Sequence, residues 1–394
     1  MLIHVAADND VHPPRFGGAQ RTFGLARGLA RRHRVRLLGV VPNRSHGARE
    51  ETVQGVELLR RKAWHTGIAW RLERAGLAPM FALNGAHARN AARYRAALGA
   101  HPDVLATDLN LCGMLSSGAA SLRVYASQNV EYDRFVASAP RVAWRAAWAS
   151  RLRRLEQDAV TRADLTVTCT DEDAARMLEL YRLDPARVAV VPNGYDETEL
   201  RPPSPSEREA ARSALQLAPG EHAAVFVGAD WGPNREALAL LVDAVLPRLA
   251  GDGVTLLVAG SVARGLGARR ERWLRVVGET PSLLPVLHAA DSGLNPVRSG
   301  GGSNVKVPAY LAAGLAVVST PFGLRGYAPL APCCVVAPED GLADALRAKP
   351  RGWSVRGESA PGALEAFAWG TLGERLGELY AERLGRLGAT RGAA

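Results

Sequence analysis

Short apolar runs alternate with Arg-rich helical patterns from the first residue onward, stop at a turn-rich stretch in mid-chain, and then begin again. Few folds accept that rhythm, because strands buried on both faces need helices above and below them and the intervening helices make the strands parallel. In the N-terminal half, strands are predicted at Leu2–Ala7, Val35–Val41, Val104–Thr107, Arg123–Ser127, Leu165–Cys169 and Val188–Val191. Helices are predicted at Ala19–Arg32, where Phe23, Ala26, Leu29 and Ala30 recur at helical spacing, and at about 84–98, 140–162 and 171–181. Pro192-Asn-Gly-Tyr-Asp and Arg201-Pro-Pro-Ser-Pro-Ser break the pattern. It resumes with strands at Ala223–Gly228, Thr255–Ala259, Ser292–Val297 and Ala316–Thr320 and helices near 234–249 and 264–274, and ends in an Arg-rich helical tail with a frayed end. The expected architecture is α/β, two doubly wound Rossmann-like domains with the site in a cleft between them, at the carboxyl ends of the strands. A length of 394 residues agrees, since it exceeds what one hydrophobic core serves.

Composition narrows the partners. With 47% hydrophobic and 22% charged residues the chain is an ordinary globular protein. Its formal charge of +10 raises nucleic acid or an anionic membrane as partners. Nucleic acid is set aside, since no recognised binding module is present and aromatics make up only 6%. Only Lys62, Lys306 and Lys349 are lysines among 49 basic residues, so the excess is scattered arginine, the mark of a GC-rich coding sequence. What the charge leaves open is an anionic small substrate. Cys112, Cys169, Cys333 and Cys334 make no C-x-x-C pair and no zinc spacing, so no metal ligand set is expected. Vicinal Cys333-Cys334 reads either as a redox pair or as two small residues leading into a strand. The N-terminus begins as a strand and not as a signal peptide, and no stretch of about 18 apolar residues is available to span a membrane. The expected compartment is the reducing cytoplasm.

Three segments carry chemistry. Arg15-Phe-Gly-Gly-Ala-Gln-Arg21 lies between the first strand and the first helix, where Gly17 and Gly18 let backbone approach a ligand; a plain tight turn explains them equally well. Arg298-Ser-Gly-Gly-Gly-Ser-Asn-Val-Lys306 follows a strand and opens a short helix. Its three glycines, its capping residues and a lysine form an anion cradle, with the N–H groups of Gly301, Gly302 and Ser303 and the charge of Lys306 converging. The G-x-x-x-x-G-K-[ST] spacing of a P-loop is absent. In Val227-Gly-Ala-Asp-Trp-Gly-Pro-Asn-Arg235, Arg235 is placed to reach the same anion, although a solvated helix position is the commoner fate of such an arginine.

Residues 1–330 resemble the GT-B glycosyltransferases of the family 4 type. Gly17-Gly-Ala-Gln-Arg21 looks like the family's Gly-Gly-Ala-Glu-Arg, and Ser127-Gln-Asn-Val-Glu131 looks like its His-Asn-x-Glu segment. Val190-Val-Pro-Asn-Gly-Tyr-Asp196 is similar to its Val-Pro-Asn-Gly-Val-Asp segment, and Val225–Asn234 to Phe-Val-Gly-x-x-x-Trp-x-Pro-Asn. Gly300–Gly323 resembles Gly-Gly-Gly-(Ser/Thr)-x-x-Lys…Glu-x-x-Ala-x-Gly-x-Pro-Val-Val-x-Thr. The resemblance implies an acceptor-binding domain at 1–190, a donor-binding domain at 191–365, and a helix at 366–394 that packs back on the first.

It also implies retaining transfer of a sugar from a nucleotide diphosphate sugar to a hydroxyl, with no cofactor and no metal. Catalysis would fall to Arg235, Lys306 and Gln128. Donor contacts would come from Gly301, Gly302, Ser303, Asn304 and Ala309, with the base read near Gly278 and Thr280. Acceptor contacts would come from Gly17, Gly18, Asn129, Glu131 and the loop after Thr107, with Asp108 and Asn110. The chain departs from the family at Ala309, where a carboxylate usually holds the ribose hydroxyls, at Gly301, and at Gln128, where histidine is usual and where an amide cannot titrate. These departures point to a dTDP-sugar as well as a UDP-sugar donor. They also keep open a pseudo-glycosyltransferase, an epimerase of nucleotide sugars, or a silent nucleotide-sugar-binding subunit. Trp64, Trp70, Phe81, Trp144 and Trp148, with many arginines, read either as core packing or as a surface for a lipid-linked or aromatic acceptor, and peripheral membrane contact stays open as well. Neither the acceptor nor the oligomeric state is readable.

Overall fold

The computed structural model describes all residues except 44–47, 139–143, 355–357, 359 and 393–394. The chain forms two compact units, Met1–Pro192 with Trp369–Ala394, and Asn193–Ala368.

In the first unit β1 (Leu2–Ala7), β2 (Arg34–Val41), β3 (Glu50–Val53), β4 (Val56–Lys62), β5 (Val104–Thr107), β6 (Leu122–Ala126), β7 (Leu165–Thr168) and β8 (Val188–Val190) form one sheet in the order β3-β4-β2-β1-β5-β6-β7-β8. Side-chain alternation sends Leu38, Leu105 and Tyr125 into one core and Leu37, Val104 and Val124 into another, so both faces are packed. Around the sheet run α1 (Gly17–Ala30), α2 (Trp64–Arg74), α3 (Asn84–Leu98), α4 (Glu131–Ser138), α5 (Arg145–Arg162) and α6 (Asp171–Tyr181). The helix expected from 140 thus starts at Arg145 among the described residues. The hairpin β3–β4 was not predicted. It turns through Gln54 and Gly55, both at positive φ (49° and 83°), as a two-residue hairpin loop requires, but Glu50, Glu51, Arg60, Arg61 and Lys62 mask its alternation.

The second unit holds six parallel strands, β9 (His222–Val227), β10 (Val254–Ala259), β11 (Leu274–Gly278), β12 (Ser292–Asn295), β13 (Ala316–Ser319) and β14 (Cys334–Val336), in the order β11-β10-β9-β12-β13-β14. Its helices are α7 (Pro205–Ala214), α8 (Gly232–Leu240), α9 (Leu284–Ala289), α10 (Lys306–Ala312) and α11 (Leu342–Arg347). The helix expected near 264–274 is not formed. Ser261–Leu266 makes a short 3-10 turn that Gly267 ends at φ 57°, and the chain then enters β11. Cys334 begins β14, and burial pushes its thiol up to about 12, so at neutral pH it is a small inert strand residue.

Finally α12 (Trp369–Gly392) lies along α1 in the first unit. Glycines on both helices make this close crossing. A Cβ on Gly28 would sit 2.2 Å from the Trp369 carbonyl oxygen, and one on Gly373 would sit 2.4 Å from the backbone of Gly28.

Both sheets reverse their winding next to the first strand of the unit, between β1 and β5 and between β9 and β12. Loops leaving the carboxyl ends at such points diverge and open a crevice, which is where ligands of doubly wound sheets bind.

Candidate active site

In the second unit, the loops after β9 and β12 flank the reversal. The loop after β12 runs through Gly300 and Gly302 at φ 117° and 65°, conformations that side chains resist, and ends at Lys306, the first residue of α10. Among the described residues no acceptor takes the N–H groups of Gly301, Gly302 or Ser303, which leaves them to a ligand. The loop is tied down on one side: Asn193 donates from Nδ2 to the Ser303 carbonyl (2.9 Å) and from its backbone N–H to the Ser303 hydroxyl (3.4 Å). Helix α10 is fixed one turn further on by Tyr310, whose hydroxyl accepts from the Val227 N–H at 3.0 Å. The Tyr310 ring fits because residue 293 is glycine; a Cβ there would meet it at 2.3 Å.

Lys306 is 9% exposed. Its Nζ donates to Asn234 Oδ1 (2.8 Å) and Asn304 Oδ1 (3.2 Å) and stands 5.3 Å from the centre of the Phe226 ring. No carboxylate among the described residues pairs with it, and burial alone lowers its pKa from an ordinary 10.5 to about 7. A buried lysine held by two neutral amides is suited to an anion, since a ligand can supply the opposite charge that these neighbours do not.

Arg235, expected to reach the same anion, is otherwise engaged. Its side chain is 57% exposed and donates to Asp230 at 2.7 Å, so its charge is already paired at the surface. The residue of that segment that reaches Lys306 is Asn234, whose amide also donates to the Ala229 carbonyl (3.0 Å) and is therefore fixed with its oxygen toward the lysine. Sequence reading quoted Asn234 inside a motif and gave it no role. At the end of β11, Gly278 has φ 75°, while the Thr280 hydroxyl donates to the Ser282 carbonyl at 2.9 Å. Ala309 is part-exposed on α10 and carries no polar group.

In the first unit, Gly17 and Gly18 open α1, and the side chain of Gln128 lies against Gly18: a Cβ on Gly18 would fall 2.3 Å from Gln128 Oε1. That contact makes Gly18 and Gln128 one surface. Other expected acceptor residues are hydrogen-bonded within the unit. Asp108 is half-buried and accepts from the backbone N–H of Asp8 (2.7 Å) and of Leu111 (3.1 Å), which makes it a clamp between loops; desolvation and the nearby Asp8 hold its pKa well above the usual carboxylate range. Asn110 donates to Asp8 from its side chain. Asn129 donates to Glu131 Oε1 (2.9 Å), and Arg134 takes the other oxygen of Glu131 (2.6 Å), so this pair closes on itself at the start of α4. Arg21 is buried and donates to the carbonyls of Pro192 (3.1 Å) and Thr168 (3.4 Å). Glu156, missed entirely, is fully buried, accepts from the N–H groups of Glu131 and Tyr132 and the hydroxyls of Tyr125 and Tyr181, and is raised to about 7 by burial.

Comparison with known proteins decides the relationship. The profile of Glycosyltransferase Family 4 matches residues 16–199, and that of Glycosyl transferases group 1 matches residues 221–349. Residues 16–199 and 221–349 thus carry glycosyltransferase family domains. Among the relatives is the D-inositol 3-phosphate glycosyltransferase of Rhodococcus erythropolis, 33% identical over 239 residues, which is 58% of this chain and 50% of the relative. The enzyme of the same name from Mycobacterium marinum is 37% identical over 105 residues, 27% of this chain and 21% of the relative. The chain thus aligns with between a fifth and a half of the length of these curated relatives. The fold is shared with sucrose-phosphate synthase of Thermosynechococcus elongatus (TM-score 0.72, 17% identity, 97% and 98% of the two chains covered). It is shared also with the catalytic domain of starch synthase IV of Arabidopsis thaliana, bound to ADP and acarbose (TM-score 0.67, 14% identity, 98% and 99% covered). The fold is GT-B.

Proposed function

We propose that this chain is a retaining glycosyltransferase that moves a sugar from a nucleotide diphosphate sugar to an acceptor hydroxyl without a metal. The observation that carries the reading is Lys306, a buried lysine that among the described residues has no carboxylate partner, beside a glycine turn whose N–H groups find no acceptor among those residues. Departure of the diphosphate is the difficult step, since negative charge grows on its oxygens while the sugar becomes oxocarbenium-like. The lysine and the N–H groups of Gly301, Gly302 and Ser303 stabilise that charge. The acceptor attacks on the face that the leaving group quits, and the departing phosphate oxygen takes the acceptor's proton, so no protein nucleophile or base is required. Gln128, lying on Gly18, positions the acceptor and does not titrate. The deciding experiment is release of nucleoside diphosphate from a panel of UDP-, GDP- and dTDP-sugars; binding without release assigns a silent binding subunit instead.

Two further results are expected. Nucleoside diphosphate binding at pH 8 is accompanied by net proton uptake, because burial lowers the pKa of free Lys306 to about 7 and an anion on Nζ raises it again. Calorimetry in buffers of different ionisation enthalpy measures it, and pH-independent binding with no proton uptake contradicts the assignment. The second concerns the base and ribose side. With alanine at 309 there is no carboxylate for a ribose diol, so dTDP binds at least as tightly as UDP, and Ala309→Glu strengthens UDP binding roughly tenfold with less effect on dTDP. A strong preference of the unaltered protein for UDP in titrations rejects this.

A further inference from the structure

The glycine loop after β12 is rooted in a buried hydrogen-bond network at the carboxyl ends of β12 and β13. Pro296 has no N–H to give, and the pairing of β12 with β13 stops at Asn295 and Ser319. Beyond that point side chains take over. The Thr320 hydroxyl accepts from the Gly323 N–H at 3.1 Å and donates to the Val297 carbonyl; a hydroxyl has one proton, so the contact from Gly323 fixes its direction toward Val297. Asn295 Nδ2 donates to the Gly323 carbonyl (2.8 Å) and to Ser319 Oγ (3.3 Å). Asn295, Ser319 and Thr320 are 0%, 0% and 3% exposed. Glycine at 323 lets the turn close on them, since a Cβ there would fall 2.5 Å from Ser319 Oγ and 2.6 Å from Asn295 Nδ2.

Val297 is the last buried residue before Gly300. The two side chains after it are tethered at the surface, Arg298 to Glu339 at 2.9 Å and Ser299 to Glu236 at 2.7 Å, where water competes for both partners. The far end of the loop is held by Asn193 and, through α10, by Tyr310. The near end is held from the buried side by the Thr320 hydroxyl. A peptide unit is rigid, so fixing the Val297 carbonyl fixes the plane it shares with the Arg298 N–H and the direction in which the chain leaves it. A valine at 320 would fill the same space, but the Val297 carbonyl and the Gly323 N–H would then lose their partner.

We propose that Thr320 is a positioning residue for the anion cradle: by fixing the peptide after Val297 it aims the N–H groups of Gly301, Gly302 and Ser303 before a phosphate arrives. The inference rests on the reading of this loop as a diphosphate site. Thr320 itself touches no ligand, and it raises affinity for the phosphates, and not for the base, by removing the need to order the loop on binding.

The test is calorimetric titration of the full chain with UDP, dTDP and GDP and with the matching nucleosides uridine, thymidine and guanosine. Thr320→Val keeps the volume and removes the hydroxyl; it is expected to weaken diphosphate binding roughly tenfold and to leave nucleoside binding within about twofold, and Thr320→Ser restores the diphosphates. A merely structural role moves diphosphate and nucleoside by the same factor, whatever the thermal midpoint does. Glu339→Gln, which removes the exposed tether of Arg298, leaves both within about twofold. Hydrogen exchange on the unaltered protein needs no variant and so survives one that fails to fold: the Gly323 amide is protected before ligand is added and stays so, while the amides of residues 301–303 gain protection with the diphosphate that binds. Diphosphate binding undiminished in Thr320→Val overturns the proposal. So do equal losses for diphosphate and nucleoside, or a Gly323 amide that exchanges like an open turn, and each of these leaves the reading of the site intact. An unaltered protein that binds none of the diphosphates sinks that reading, and the proposal with it.

Discussion

Lys306→Ala is expected to lower kcat by roughly 10²–10³, the scale of removing one strong charge-stabilising group from a water-poor site. The expectation follows from what surrounds the residue. Among the described residues its hydrogen bonds go to Asn234 Oδ1 and Asn304 Oδ1, both neutral, and Arg235 is already paired with Asp230 at the surface. Stability moves the other way. A buried ammonium without a carboxylate is a cost to the folded state, so Lys306→Met, which keeps the length and apolar stem, raises the thermal midpoint by a few degrees, on the order of 1 kcal/mol, while activity falls. A structural lysine behaves oppositely, with stability falling and kcat little changed, so the two measurements separate the roles. Asn234→Ala keeps the charge and loosens its aim, and is expected to cost roughly tenfold in kcat, between the unaltered protein and Lys306→Ala. Equal activity of Lys306→Ala and the unaltered protein in nucleoside diphosphate release removes the residue from the mechanism.

The largest effect on stability is expected at the α1–α12 crossing. Gly373→Val places two methyl groups where the backbone of Gly28 stands 2.4 Å from a bare Cβ, and Gly28→Val meets the Trp369 carbonyl oxygen at 2.2 Å. Neither neighbour is a flexible side chain that can swing away, so the helices must separate along their length. With that separation go contacts of Trp369, Leu372 and Leu376, which are at most 4% exposed. The expected loss is about 3 kcal/mol or more, seen as a lower denaturant midpoint. Gly385→Ala, on the same helix with nothing near its Cβ, is the matched control and should be neutral or slightly stabilising. A Gly373→Val protein as stable as the Gly385→Ala one contradicts the packing described.

Both halves of the fold were legible because parallel strands buried on two faces leave uninterrupted apolar runs such as Val104–Thr107 and Thr255–Ala259. What escaped had a different composition. The β3–β4 hairpin is an edge whose strands carry Glu50, Glu51, Arg60 and Arg61, and β11 hides behind the arginines of 269–275. In the candidate site the glycine turn and Lys306 were visible as rare residues in a fixed order. Asn234 was not, because an amide that orients a cation has no spacing rule and is recognised only by its distance to Nζ. Asp108, Asn129 and Glu131 show the converse: carboxylates and amides in the right loops that the structure uses to hold those loops together.

The return of α12 to the first unit means that the unit is assembled from two separate pieces of chain, with Asn193–Ala368 inserted between them. The points of departure and return are neighbours, since the Tyr195 N–H donates to the Phe367 carbonyl at 3.0 Å. During synthesis, therefore, the inserted unit has all its strands outside the ribosome while α1 still presents an uncovered glycine face. The half that begins first is completed last. Until residues 369–392 emerge, the protein carries a finished second unit on an unfinished first one, and a ribosome stalled late in the message leaves that intermediate for chaperones to hold.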